Sequence, residues 1–333
     1  MTRIVILTPH GARTGGPEAC FQLSDMLFRH GWRPEMWLIT TEDERLFADA
    51  VQCRRCISDR AIVVPPRDHG IDEYRRYQWR PFSGMTVGEL VLFVIPEIYL
   101  AWLPAFGNSP TLVWWLSVDY AFRPLSELNS NYLRTTTTRH AAQSAYAKAF
   151  LAALGVTDVA MLSDYTVVHS RDKGRLLANR PLRAVCNGSA KVIADISYLR
   201  ERLAAASGAE VSLIRGLRRC DVYDAFETAR LFIDLGNFPG KDRMAREALL
   251  LGANVIIAAC GSGAYREDFP IPDQCRVSVH STSAILELAA QMLIDPAAFQ
   301  DAFEPARERI RAEESVFAAE TLAVFRSLHV ERL

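Results

Sequence analysis

Short apolar runs recur along this chain between longer segments of helical period, and the alternation begins at the first few positions. Residues 4–8 are apolar and largely β-branched, the composition of a buried strand. Residues 17–30 place Ala19, Leu23, Met26 and Leu27 on one helical face, with Pro17 in the first turn and Gly31 as the stop. A second, mostly apolar strand follows at 35–40, and the Gly15-Gly16 pair predicts a turn ahead of the helix. Further runs at 61–64, 90–95 and 111–116 read as strands, and the four threonines at 135–138 fit another. A helical stretch over 143–151 ends at Gly155 and leads into a strand over 156–161. Strands alternating with helices in this way imply a parallel sheet.

The pattern restarts near Tyr165. Strands are predicted at 182–186, 210–214, 231–235 and 254–258, with helices at 191–206, 221–229 and 242–251, the last stopped by Gly252. From Ser283 the chain turns helical, and 296–328 reads as a helical tail. A length of 333 residues is about twice the commonest domain size. The expected fold class is therefore α/β, with two Rossmann-like doubly wound domains, 1–165 and 166–333, the second carrying the tail.

Half of the residues are apolar and 23% are charged, the balance of an ordinary globular chain. The net charge of -1, from 38 basic and 39 acidic residues, provides no global attraction to nucleic acid, and no nucleic-acid partner is expected. Local basic clusters (Arg54-Arg55; Arg75-Arg76 with Arg80; Arg215 with Arg218-Arg219) are solvated surface or sites for phosphates and lipid headgroups. A strand starting at once leaves no room for a signal peptide, so a cytoplasmic location is expected. The most apolar stretch, 87–106, is interrupted by Glu89, Pro96, Glu97 and Pro104, a poor composition for a membrane span. Seven cysteines without an export signal suggest reduced thiols. The lone CxxC at Cys53 and Cys56 has no second pair, and His10, His140 and His169 lack metal-binding spacing, so no metal is expected and the histidines default to structural roles.

The strongest local signal for chemistry runs over 231–243, from a strand through a Gly-containing turn into a helix. Amides at a helix N-terminus attract an anion, and Lys241 and Arg243 add charge suited to a diphosphate; Gly240 lets the turn approach it. Arg243, Arg246 and Glu247 then share one helical face. A carboxylate there accepts hydrogen bonds from ribose hydroxyls while the arginines reach the diphosphate; the alternative is an Arg243–Glu247 ion pair on solvated surface. Gly15-Gly16 permits close ligand approach or is simply a tight turn, and its spacing disfavours an NAD site. Asp119, after an apolar strand, is placed for a general base or for loop capping, and Glu97 and Asp164 have similar standing. Ser262 lies between two glycines rather than in the GxSxG spacing of a hydrolase elbow.

Three segments resemble GT-B glycosyltransferases of the bacterial surface-polysaccharide type. Gly15-Gly16-Pro17-Glu18-Ala19 with Gln22-Leu23 is similar to their glycine-rich first loop and helix, and Gln143-Ser144 through Gly155-Val156 to the strand-Ser-helix element before the domain crossover. The most specific is Pro239-Gly240-Lys241-Asp242-Arg243 with Arg246-Glu247-Ala248, Gly252 and Val255-Ile256, which resembles the donor-binding strand-turn-helix-strand. The resemblance implies two domains facing a cleft, and a nucleotide sugar bound by Gly15, Gly16, Lys191, Gly240, Lys241, Arg243, Arg246 and Glu247, with Glu247 on the ribose. It further implies transfer to a glycan or lipid-linked acceptor without a cofactor, Asp119 as base if the reaction inverts, and a place at the inner face of a membrane when the acceptor is lipid-linked. Retaining relatives carry a second glutamate eight positions before Glu247, where this chain has Pro239. A non-catalytic nucleotide- or glycan-binding subunit and a sugar-nucleotide epimerase are the alternatives.

Overall fold

The computed structural model describes residues 3–41, 43–44, 74–86, 88–168, 177–189 and 191–328. The strand expected at 61–64, the Cys53–Cys56 pair, Arg54-Arg55 and His169 lie outside them. The chain forms two compact units, the first of Met1–Tyr165 with Ser315–Leu333 and the second of Thr166–Glu314.

The first unit holds a six-stranded sheet in the order β2-β1-β3-β4-β5-β6, built from β1 (Arg3–Pro9), β2 (Glu35–Ile39), β3 (Val91–Pro96), β4 (Thr111–Trp115), β5 (Thr138–Ala142) and β6 (Val159–Met161). All five pairings are parallel. Strands covered on both faces bury every side chain, which is why β2, β3 and β4 read as unbroken apolar runs. The polar edges of the two buried tryptophans on β4 are satisfied. Trp114 Nε1 donates to Leu162 O at 2.7 Å, and Trp115 Nε1 donates to His140 Nδ1 at 3.1 Å. His140 Nε2 therefore carries the proton and donates to Leu133 O at 2.8 Å. Burial holds this imidazole below its ordinary pKa, a structural role as expected.

Helix α1 spans Gly15–Arg29, two residues earlier than its periodicity suggests, so Gly15 and Gly16 form its first turn rather than a turn before it. Thr14 precedes them in extended conformation, and Pro17 needs no amide partner at that position. The polar side chains of α1 are buried against the segment that starts at Tyr74. Glu18 takes Arg76 and the Tyr77 hydroxyl, and Asp25 takes the Gln78 amide. Helix α2 (Ala145–Ala153) is capped by Ser144, whose Oγ accepts the Ala147 amide at 3.1 Å.

The second unit has a five-stranded parallel sheet, β11-β10-β9-β7-β8, from β7 (Arg183–Asn187), β8 (Glu210–Ile214), β9 (Leu231–Asp234), β10 (Asn254–Ala258) and β11 (Arg276–Val277). Helices α3 (Ile196–Ser207), α4 (Arg219–Thr228), α5 (Arg243–Leu250), α6 (Thr282–Ile294) and α7 (Glu304–Arg311) complete it. Helix α3 starts five residues later than expected because Val192 bridges Gly236 and Lys191 O accepts the Asn237 amide at 3.1 Å. That tertiary contact outweighs local helix preference and brings the loop after β7 beside the loop after β9. Buried arginines close helix ends here. Arg180 donates to Phe226 O, Ala229 O and Leu251 O, carbonyls at the C-termini of α4 and α5.

The tail expected with the second half divides. Helix α8 (Glu313–Ser327) begins in the second unit and from Ser315 belongs to the first. Phe317 lies against Trp114 and Tyr165, Phe325 against Trp32, and Glu320 accepts both the amide and the hydroxyl of Ser163. Among the described residues no helix is long and apolar enough to cross a membrane.

Candidate functional site

In a doubly wound sheet, ligands lie beyond the carboxyl ends of the strands where the chain order reverses. In the second unit that point is between β7 and β9, since the chain runs from β7 to β8 on one side and then to β9 on the other. The two strand ends are joined there by Asn187 Nδ2, which donates to Asp234 Oδ1 at 2.8 Å, and Gly236 N donates to the same oxygen at 3.0 Å. Burial is the main cause pushing the Asp234 carboxyl up to about 7, and the Asp242 charge adds to it. Lys191, Gly240, Lys241 and Asp242 come from the two flanking loops.

Four cations at this point are met by the chain's own carboxylates. Lys191 Nζ lies 3.2 Å from Asp242 Oδ2, and Asp242 Oδ1 accepts the Met244 amide at the start of α5. Lys241 Nζ lies 2.8 Å from Glu313 Oε1. Arg246 is 1% exposed and donates to Glu313 Oε2, to Asp242 O and to Lys241 O. It is thus part of the frame under the turn, buried where its side chain serves backbone carbonyls. Glu247 accepts from Arg219 Nη2 at 3.4 Å and from the Tyr223 hydroxyl at 3.2 Å, both on α4. Arg243 is buried on the first turn of α5. Lys191, Lys241, Arg243, Arg246 and Arg219 thus gather among Asp242, Glu313, Glu247 and Asp234, the last of which burial drives toward neutrality. A cluster of cations around a turn that leads into a helix suits an anionic ligand.

The turn itself is braced from the loop after β10. Ser262 Oγ donates to Gly240 O at 2.5 Å and Ser262 N to Phe238 O at 2.9 Å. Phe238 holds a φ of 46°, a left-handed conformation uncommon for an aromatic residue. Asp234, Asn187, Tyr223 and Glu313 were not singled out as site residues from the sequence. Arg219 stood out only within its basic cluster, and Ser262 only as a serine between two glycines without the hydrolase spacing.

The other candidates lie in the first unit. Its reversal falls between β1 and β3. Gly15 and Gly16 follow β1; a Cβ on Gly16 would lie 3.9 Å from Leu116 Cδ1, beyond the end of β4. Asp119, in the turn Val118–Ala121, is half-buried and accepts the Tyr146 hydroxyl at 3.0 Å. Glu97 follows β3 and accepts the amides of Leu116 at 2.8 Å and Ser117 at 3.0 Å, fixing the turn that carries Asp119.

Burial pushes the Glu97 carboxyl up to about 7 against the pull of those two amides. A raised carboxyl pKa means the folded state holds the proton more firmly, so its stabilising contribution is complete below the unfolded value near 4.5 and is lost as pH rises through about 7. All six tryptophans lie in the first unit, so fluorescence follows that unit. Between pH 5 and pH 8, urea unfolding read by fluorescence is expected to lose about 2–3 kcal/mol from this group. In Glu97→Gln the difference from wild type should close by that amount as pH rises; a gap that does not change with pH would refute the assignment. Comparing the two proteins cancels His140, which acts in the opposite sense below its ordinary 6.5.

No protein-family model matches this sequence, and no curated protein matches it. Solved structures do. Sucrose-phosphate synthase from Thermosynechococcus elongatus superposes with a TM-score of 0.63 at 15% identity, over 99% of each chain. HepE from Anabaena in complex with UDP-glucose gives 0.63 at 10% identity, over 98% of this chain and 100% of its own. A putative UDP-N-acetylglucosamine 2-epimerase from Listeria monocytogenes gives 0.54 at 8% identity, over 100% of this chain and 98% of its own. At these identities the likeness establishes the fold, which is the GT-B pair of Rossmann-like units.

Proposed function

We propose that this protein transfers a sugar from a nucleotide-sugar donor to a hydroxyl of a glycan or lipid-linked acceptor. The observation that carries the reading is the meeting of Lys191, Gly240 and Lys241 around the β7–β9 reversal, where a braced turn leads into α5, the helix that carries Glu247. The diphosphate lies along Lys191, Lys241 and the turn at Gly240, and the ribose hydroxyls bond to Glu247, with Arg243 and Arg246 supporting from α5. In the reaction the bond from the anomeric carbon to the donor phosphate breaks and one to the acceptor oxygen forms. The lysines stabilise the charge left on the departing diphosphate, with no metal or cofactor in the step. In an inverting reaction Asp119 takes the acceptor proton, and Gly15 and Gly16 leave room for the reactants at the start of α1.

The segments similar to surface-polysaccharide enzymes favour a role in assembling such polymers, in the cytoplasm, with peripheral contact to the membrane when the acceptor is lipid-linked. A sugar-nucleotide epimerase is the second reading, supported by the fold likeness to the Listeria protein. A non-catalytic binding subunit is the third, motivated by Pro239 in place of the early glutamate.

A thermal-shift screen of nucleoside diphosphates and nucleotide sugars tests the donor site, with uridine compounds first because the HepE structure holds UDP-glucose. A ligand at about a hundred times its Kd adds about 2.7 kcal/mol to the folded state and raises the midpoint. Glu247→Ala is expected to abolish the shift. A panel that leaves the wild-type midpoint unmoved would sink the nucleotide reading, and incubation of a binding donor with acceptors separates transfer from epimerisation by product.

A further inference from the structure

Lys241 and Arg246 share one carboxylate. Glu313 Oε1 takes Lys241 Nζ at 2.8 Å, and Oε2 takes Arg246 Nη1 at 2.8 Å and the Thr166 amide at 3.1 Å. The three side chains are 11%, 1% and 5% exposed for Lys241, Arg246 and Glu313, so little water screens them. Arg246 is also tied to the carbonyls of Asp242 and Lys241, which hold its guanidinium beside Glu313. Lys241 carries its charge on a flexible stem within the turn itself. Thr166 and Glu313 are the first and next-to-last residues of the second unit, so the same carboxylate joins the turn to both ends of that unit.

We infer that Glu313 is a built-in counter-ion of the donor turn, which occupies Lys241 while the site is empty and gives it up to an arriving diphosphate. The ligand class rests on the proposed function. When Lys241 moves to the phosphate, the Glu313 charge falls on Arg246 and the Thr166 amide, both already within reach. Glu313 touches no reacting atom and acts through Lys241, as a positioning residue. An ordinary structural ion pair gives weaker ligand binding when it is broken. A counter-ion gives the reverse, because removing its charge releases Lys241 from this pair and raises the local positive potential.

Calorimetric titration of UDP and, separately, of inorganic pyrophosphate into wild type, Glu313→Gln and Glu313→Asp decides the matter. Glu313→Gln is expected to bind both about tenfold more tightly while unfolding at lower urea. Glu313→Asp, which withdraws the charge by one methylene, should tighten by a smaller factor; if the glutamine variant does not fold, the aspartate result decides alone. Equal or weaker binding of UDP in the folded variants overturns the inference and leaves the nucleotide reading standing. Tighter pyrophosphate binding with no UDP binding supports the counter-ion and sinks the nucleotide reading, and no binding of either ligand to any of the proteins overturns both.

Discussion

Arg246→Ala is expected to destabilise the second unit by about 3–5 kcal/mol, the cost of taking one of two cations from a buried carboxylate together with the rest of the guanidinium's bonds. The guanidinium makes a fork to Glu313 and to the carbonyls of Asp242 and Lys241, and its side chain is 1% exposed. Alanine removes the bonds to those two carbonyls and leaves Glu313 with Lys241 and one amide. Arg246→Lys keeps the charge but offers no planar fork, and should recover less than half of the loss. Because the second unit contains no tryptophan, the effect separates cleanly: the far-UV CD transition should move to lower urea while the fluorescence transition stays in place. Were Arg246 instead a residue that touches the donor, its replacement would weaken nucleotide binding and leave the CD transition where it was.

The strands were legible because parallel strands covered on both faces are continuous apolar runs, and among the described residues ten of the eleven lie on or beside the runs that predict them, with the two-residue β11 unforeseen. Helix starts were less so. Periodicity puts 191–206 in one helix, whereas the Val192–Gly236 bridge holds the first residues out of it, and only long-range pairing decides that. The turn at 236–243 announced itself through its glycines and basic residues. What those bases touch did not: Glu313 is 67 positions from Arg246 and sits in a run of alternating charge that reads as solvated helix. The shared face of Arg243, Arg246 and Glu247 was likewise visible as a spacing. That Glu247 pairs with α4 and Arg246 with Glu313 depends on the packing of α5 between neighbours, which no local pattern encodes.

With the donor on the turn at Gly240 as proposed, Gly261→Ala is expected to abolish nucleotide binding with a loss of more than about a hundredfold in affinity, because the brace under that turn has no room for a methyl group. A Cβ at Gly261 would lie 2.1 Å from Phe238 O and 2.5 Å from Asn237 O, both backbone atoms of the turn. Neither can rotate aside as a side chain can, so the turn itself must move, and with it Gly240 and Lys241. The residue also holds a φ of 48°, which costs an alanine about 1–2 kcal/mol wherever it occurs. Gly216→Ala separates the two effects, since Gly216 has a φ of 65° with nothing within 4 Å of the added atom. That variant should lose only the backbone cost and keep the thermal shift produced by nucleotide. Ser262→Ala, which removes the bond from Oγ to Gly240 O, falls between them, at about 1–3 kcal/mol for a buried carbonyl left without its donor. If all three variants were to bind nucleotide as wild type does, the turn would not be the place where the donor sits, and the positive charge gathered there would need another ligand.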